Sequence, residues 1–247
     1  MTILQYAKKE LAKLKDQPPK KRWEYIWEYY KIHLLVTLLV IVLLVQGIVT
    51  ICTKKETVFT GILINTSISA DSSSFMADLR DYLDVGKKEQ VSFSTNIFMT
   101  DAPADKATAM QSILASITIQ ELDMVAGPAG AFEICAYNSG NLFADLRDYL
   151  EPSDLEKYAD RLYYIDGSII KKLNAPVGTE VDLSQLTYPD PLKPETMEEP
   201  IPVGIDVSDR SAFISAYFFP GNAYYLGMIR NTTRPETVLK FIEYLFS

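Results

Sequence analysis

The sequence predicts an α/β domain over residues 56–247, carried behind one N-terminal transmembrane helix. Three observations predict it. Residues 32–53, IHLLVTLLVIVLLVQGIVTICT, are uncharged and mostly apolar between Lys31 and Lys54. Downstream, short β-branched and aromatic runs alternate with segments whose apolar residues recur every three or four positions, the order expected of a sheet of parallel neighbours with helices packed on it. Charge divides the chain at the same place: residues 1–31 are net +4 and residues 54–247 net −12, within a total of −8.

A helix rises about 1.5 Å per residue, so roughly 20 residues cross a hydrocarbon core about 30 Å thick, and residues 32–53 suffice. A cleaved signal peptide would have a shorter apolar core and a small-residue cleavage site soon after it, but the sequence continues Thr53-Lys54-Lys55. A lipid-modified Cys52 would follow a small residue rather than the bulky Ile51. A core helix apolar on every face would need a larger soluble body around it. The basic residues of 1–31 assign this tail to the cytoplasm and the acidic domain to the outside. Trp23, Trp27 and Tyr30 fall on one helical face beside Lys20, Lys21 and Arg22, an aromatic belt at headgroup level with basic neighbours reaching to the interface; the alternative is a docking face for another membrane protein. In the tail, Ile3, Leu4, Ala7, Leu11 and Leu14 repeat near the helical period, the pattern of an amphipathic helix lying on the inner leaflet, ended by Pro18-Pro19. Gln46 and Gly47 mark a candidate helix–helix contact.

The domain elements follow in order. Thr57–Asn65 reads as a buried strand. Asp71 opens a helix bearing Phe75, Leu79 and Leu83 and ended by Gly86. Gln90–Met99 is a second strand, and Asp101-Ala102-Pro103 leads into a helix bearing Ala107, Met110, Leu114 and Ile117. Leu122–Ala126 is a third strand, closed by Gly127-Pro128. Helices are expected around Ala131–Tyr137, Leu142–Leu150 and Asp154–Leu162. Residues 163–200 form an irregular excursion, with prolines at 189, 191 and 194 and a solvated acidic run at Glu195, Glu198 and Glu199. Ile201–Val207 and Ala223–Ile229 are strands. Residues 231–236 supply capping hydroxyls and a first-turn proline for a last helix bearing Val238, Leu239, Ile242, Leu245 and Phe246. The predicted core includes Ile62, Ile64, Leu79, Leu83, Leu146, Leu150, Ile205, Ile242 and Leu245. One heptapeptide, ADLRDYL, occurs at 77–83 and again at 144–150, read as two helices presenting the same Leu/Tyr face, with a duplicated βα unit as the alternative.

Three stretches carry a resemblance. Asp123–Gly127 followed by a helix, Gly140 and Leu142–Leu150 is one. Pro202–Asp206 is the second. Tyr225–Ile229 with Phe241–Leu245 is the third. Together they resemble a lobe of the extracellular solute-binding proteins of the two-lobed, type II periplasmic-binding class, over most of 57–247. The resemblance implies an α/β lobe and a small-molecule ligand held between two lobes. Here the segment that would build the second lobe is reduced to residues 163–200.

The residue inventory excludes several chemistries. The one histidine, His33, lies in the apolar stretch, so a histidine-assisted nucleophile and a His/Cys metal site are not expected in the domain. No phosphate-binding glycine loop is present, and a domain of net −12 is a poor partner for nucleic acid. Cys52 and Cys135 do not form a disulfide framework, and Cys135 is expected to be reduced and packed. No cofactor is implied. A polar ligand would bind beyond the carboxyl ends of the strands, at Asn65, Thr66, Ser67, Thr100, Asp101 and Gly127, where hydroxyls, an amide and helix-start N–H groups gather. Ordinary turn and capping roles account for the same residues equally well. The expected function is a non-catalytic, membrane-anchored binding or interaction module, serving a transporter or an envelope complex beside a membrane-protein partner; the alternative is a receptor that delivers a small polar solute to a permease.

Overall fold

A computed structural model describes residues 18–137, 141–176, 186–219, 221 and 223–247. The chain divides into two units, residues 1–54 and residues 55–247. The tail segment expected as an inner-leaflet helix, residues 3–14, lies outside the described residues, as does Gly140.

In the first unit, α1 is one helix, Pro19–Thr53, with Pro19 at its first turn, where proline's missing N–H costs nothing. Its segment Lys31–Thr50 has a mean hydropathy of 2.8 and none of it is buried. Of the aromatic face, the side chain of Trp27 is described, and it is exposed.

The second unit is built on a six-stranded mixed sheet. Its strands are β1 (Glu56–Leu63), β3 (Glu89–Ser94), β4 (Met124–Pro128), β5 (Leu162–Asp166), β6 (Pro200–Asp206) and β8 (Tyr224–Met228), in the order β3-β1-β4-β8-β6-β5. A two-stranded ribbon joins β2 (Ser67–Ile68) to β7 (Tyr217–Phe218). The expectation of parallel neighbours holds for β3, β1 and β4, whose connections pass through α2 (Ser72–Tyr82) and α3 (Pro103–Thr118). It fails beyond them: β8 runs antiparallel to both β4 and β6, and β5 runs antiparallel to β6. The connection from β5 to β6 needs no helical crossover to reverse direction, so the sheet's second half escapes the βαβ rule.

Strand alternation sends successive side chains to opposite faces. Phe59, Leu63, Met124, Leu226 and Ile205 join one core with α2, α7 (Ser211–Ala216) and α8 (Pro235–Phe246). Ile62, Ile64, Val125, Tyr225 and Val203 join a second core with α3, α4 (Ala129–Tyr137) and α6 (Gly167–Leu173). Burying a side chain of this size contributes about 1.5–3 kcal/mol. In the second core, Phe132 and Phe143 stack with ring centroids 4.5 Å apart and planes at 9°. They lie against Gly204 and Gly227, where an added Cβ would come 2.6 Å from a ring carbon at either site.

A buried ion pair ties the sheet to the last helix. Asp123, fully buried, accepts from the Thr60 N–H at 2.7 Å, from the Thr232 hydroxyl at 2.6 Å and from Arg234 Nε at 3.0 Å. Arg234 also donates to the carbonyl of Thr57 at 2.8 Å. The expected capping hydroxyls are therefore used differently. Arg234 occupies the N-cap without a side-chain cap bond, while Thr232 accepts from the Arg234 N–H and bonds Asp123.

Several boundaries differ from the sequence reading. The second strand ends at Ser94, five residues before Met99. The buried side chains of α3 are Ala109, Met110 and Ile113, so its face is rotated from the expected one and Leu114 is exposed. Of the nine predicted core residues, Leu83 and Leu150 are only half-buried; the others are buried. Residues 163–200 hold β5 and α6. Their later part is pinned to edge strand β5, where the Tyr164 N–H bonds the carbonyl of Pro191 at 2.9 Å and the Gly167 N–H that of Glu199 at 2.8 Å. Glu195, Glu198 and Glu199 are exposed as expected.

The repeated heptapeptide takes two conformations. Ala77–Leu83 lies on α2 and its C-cap. Ala144–Leu150 is not a helix: Phe143 bridges Ile229, the Ala144 N–H bonds the Met228 carbonyl, and only Leu146–Asp148 makes a 3-10 turn. Asn141, at φ +53°, bars helix upstream. Downstream, Pro152 forces Glu151 to an extended ψ of 151° before α5 (Pro152–Lys157) begins. The helix expected to run to Leu162 ends at Lys157, because Leu162 already belongs to β5.

Candidate functional site

The carboxyl ends of β1, β3 and β4 border a cleft of about 400 Å³ lined by Asn65, Thr100, Asp101, Lys106, Glu133 and neighbouring apolar groups. Each wall arises from the way a strand stops. β1 ends when Asn65 turns to φ +57°, a conformation asparagine tolerates better than most residues. Its side chain then holds the chain leaving β3: Nδ2 donates to the Met99 carbonyl at 2.9 Å and Oδ1 accepts from the Met99 N–H at 2.7 Å. Beyond this clamp, the Thr100 hydroxyl donates to Asp105 at 2.5 Å and accepts from the Ala102 N–H at 3.2 Å, setting the start of α3. On the other side, β4 runs directly into α4, whose first turns present Gly130, Ala131 and Glu133 to the cleft.

Of the six residues predicted from the sequence, the structure brings three together here: Asn65, Thr100 and Asp101. The other three do not line the cleft. Thr66 is buried and returns its hydroxyl to the Leu63 carbonyl at 3.0 Å. Ser67 is exposed and pairs with Phe218 in the small ribbon. Gly127 is buried within β4, opposite Tyr225, and a Cβ there would lie 3.3 Å from that of Ile64. Sequence reasoning missed Lys106 and Glu133. Both lie within about a turn of the helix starts that follow the strands, so extending the strand-end rule one turn into each following helix would have found them.

Electrostatically the cleft is mixed. Lys106 lies 3.9 Å from Asp101, whose carboxylate is fully solvated, so the pair contributes little. Glu133 is half-buried, and burial holds its carboxyl above the usual carboxylate range. Asn65 and Thr100 spend their polar atoms on the loop itself, so Asp101, Lys106 and Glu133 carry what capacity remains for a polar visitor. No group of His, Cys, Asp and Glu among the described residues could hold a metal ion. Cys135, on the buried side of α4, is free, with burial pushing its thiol up to about 12; it is a packing group rather than a nucleophile.

A second recess, of about 400 Å³, is mostly apolar and lies beside β5, lined by Leu155, Leu162, Tyr164, Pro194, Pro200 and Pro202. Its neighbouring support is Asp166, a buried carboxylate that accepts from the backbone N–H groups of Ser168, Glu198 and Glu199 at 2.9–3.1 Å. Burial alone would raise its pKa; these N–H bonds outweigh that and hold it below the usual range.

No protein-family model matches the chain, and neither a curated protein nor a solved structure does.

Proposed function

We propose that this protein is a single-pass membrane protein, N-terminus inside, whose acidic α/β domain works outside the cytoplasm as a non-catalytic binding or docking module beside a membrane-protein partner. The observation that carries the reading is α1: its span Lys31–Thr50 is long, apolar and unburied, a surface that lipid would cover. The orientation rests on the eight basic residues among residues 1–31. Only Lys54 and Lys55 separate α1 from β1, and an extended chain gives at most about 3.6 Å per residue. Such a tether denies the domain the reach that a capture-and-deliver receptor uses and suits a subunit docked against a fixed neighbour.

The domain itself reads as a reduced lobe of the type II periplasmic-binding class. What supports this is the run of β4 into α4, the return of β6 to the same sheet, and β8 followed by α8, at the three stretches that carry the resemblance. The cleft at the strand ends keeps the solute-receptor reading as the second candidate.

Protease added to intact cells should digest the domain and spare the tail; a protected domain would overturn the topology. A flexible Gly/Ser insertion of about 20 residues after Lys55 adds roughly 25 Å of typical reach. It should weaken partner cross-linking if docking is fixed, and unchanged cross-linking with full function would favour the receptor. A receptor would also be stabilised by its solute as RT ln(1 + [L]/Kd) in a thermal-shift screen.

A further inference from the structure

Between Leu34 and Val49 the polar side chains of α1 are Thr37 and Gln46. A hydroxyl has one donor and can return it to its own helix. Thr50 does so, its Oγ1 donating to the Gln46 carbonyl at 2.9 Å, and Thr53 donates to the Val49 carbonyl at 2.7 Å. A carboxamide has two donors and an acceptor, which its own helix cannot absorb. Among the described residues the Gln46 side chain makes no hydrogen bond, and it stands exposed on the helix surface. At about 1.5 Å per residue it lies roughly 6 Å inside the Thr50 end of the span, in apolar surroundings where an unpaired amide is costly.

Gln46 also belongs to a seam. Ile32, Val36, Leu39, Leu43, Gln46 and Thr50 are spaced by alternating fours and threes, the repeat that keeps one stripe facing a partner helix in left-handed packing. All six are exposed. At Gly47, beside the seam, nothing lies within 4 Å of where a Cβ would stand.

We infer that two copies of this chain pair in parallel through this seam of their anchor helices, with the two Gln46 carboxamides hydrogen-bonded to each other. The inference rests on the membrane reading above. It names a second copy because identical chains enter the bilayer in the same orientation and so present Gln46 at the same depth. A carboxamide is its own hydrogen-bonding complement, whereas an unrelated helix would need a polar group at that level.

The test uses the full chain. Extraction of membranes with alkaline carbonate is read first, because release of the chain would overturn the membrane reading and the pairing with it. With the chain retained, sedimentation equilibrium in density-matched micelles measures self-association. Wild type should dimerise, and Gln46→Leu should weaken the dimer about 3- to 20-fold, the range of measured interhelical hydrogen bonds in membranes. Gln46→Asn should retain most of the affinity. Leu43→Ala, on the seam, should weaken it, and Leu44→Ala, off the seam, should not. A retained but monomeric wild type, or equal affinities for wild type and Gln46→Leu, would overturn the pairing and leave the anchor standing.

Discussion

Replacing Gly227 by Ala adds one methyl group at a tightly confined point of the second core. The new Cβ would lie 2.6 Å from Phe143 Cδ1, 2.8 Å from its Cε1 and 2.9 Å from Phe132 Cζ. Neither ring can retreat easily. Both are fully buried, they stack on each other, and Phe132 is held by Tyr163 at 4.9 Å and Tyr225 at 5.8 Å. Overpacking of this kind costs about 1–3 kcal/mol, and the loss of unfolded-chain entropy on replacing glycine returns about 0.4–1 kcal/mol. Taken between the middles of the two ranges, the expected net loss is about 1.3 kcal/mol. Gly130→Ala is the matched control: nothing lies within 4 Å of its Cβ position and it sits exposed on α4, so helix propensity should stabilise it by up to about 1 kcal/mol. Both tryptophans, Trp23 and Trp27, lie on α1, so unfolding of the domain is followed by near-ultraviolet circular dichroism of its tyrosines during a urea titration. A shift in midpoint at constant slope measures the difference. Phe143→Leu should suppress the Gly227→Ala defect. A Gly227→Ala midpoint within about 0.5 kcal/mol of wild type, or the same loss in the Phe143→Leu background, would refute the idea that the glycines exist to admit the ring pair.

Three further outcomes follow from the structure. Arg234→Leu leaves the fully buried Asp123 carboxylate without its cation, and equilibrium unfolding should register a loss of about 3–5 kcal/mol. Leu146→Ala, at a site 1 % exposed, should cost about 2–5 kcal/mol, whereas Leu150→Ala, only half-buried, should cost less in the same titration; equal losses would contradict the 3-10 turn. Burial raises the Glu133 carboxyl above its unfolded value, so its contribution to stability is complete below the unfolded pKa and is lost as pH rises through the folded one. Glu133→Gln should accordingly gain stability over wild type at neutral pH and lose that advantage in acid, and a pH-independent difference would count against a desolvated carboxyl.

The long apolar helix and many elements of the domain were legible in the sequence for local reasons. An uncharged span of 22 residues and an amphipathic helix such as α8 state their environment in their own periodicity. So do β1, α2 and α4, whose bounds moved by at most three residues. The strand-end rule found Asn65, Thr100 and Asp101, because those positions follow from chain direction once β1 and β3 are recognised.

What only the tertiary structure decided are features whose cause lies far along the chain. ADLRDYL is a helix at 77–83 and an extended segment with a 3-10 turn at 144–150, because the second copy bonds β8 and sits between Asn141 and Pro152. Strand direction beyond β4 depends on which edge each late strand joins, and a strand's own residues do not encode that. The Asp123–Arg234 pair joins positions 111 apart, and Lys106 meets Glu133 across one cleft only when α3 and α4 start at the same sheet end. Periodicity reports the environment of a residue. The identity of its neighbours is set by long-range packing and by polar groups that burial obliges to find partners.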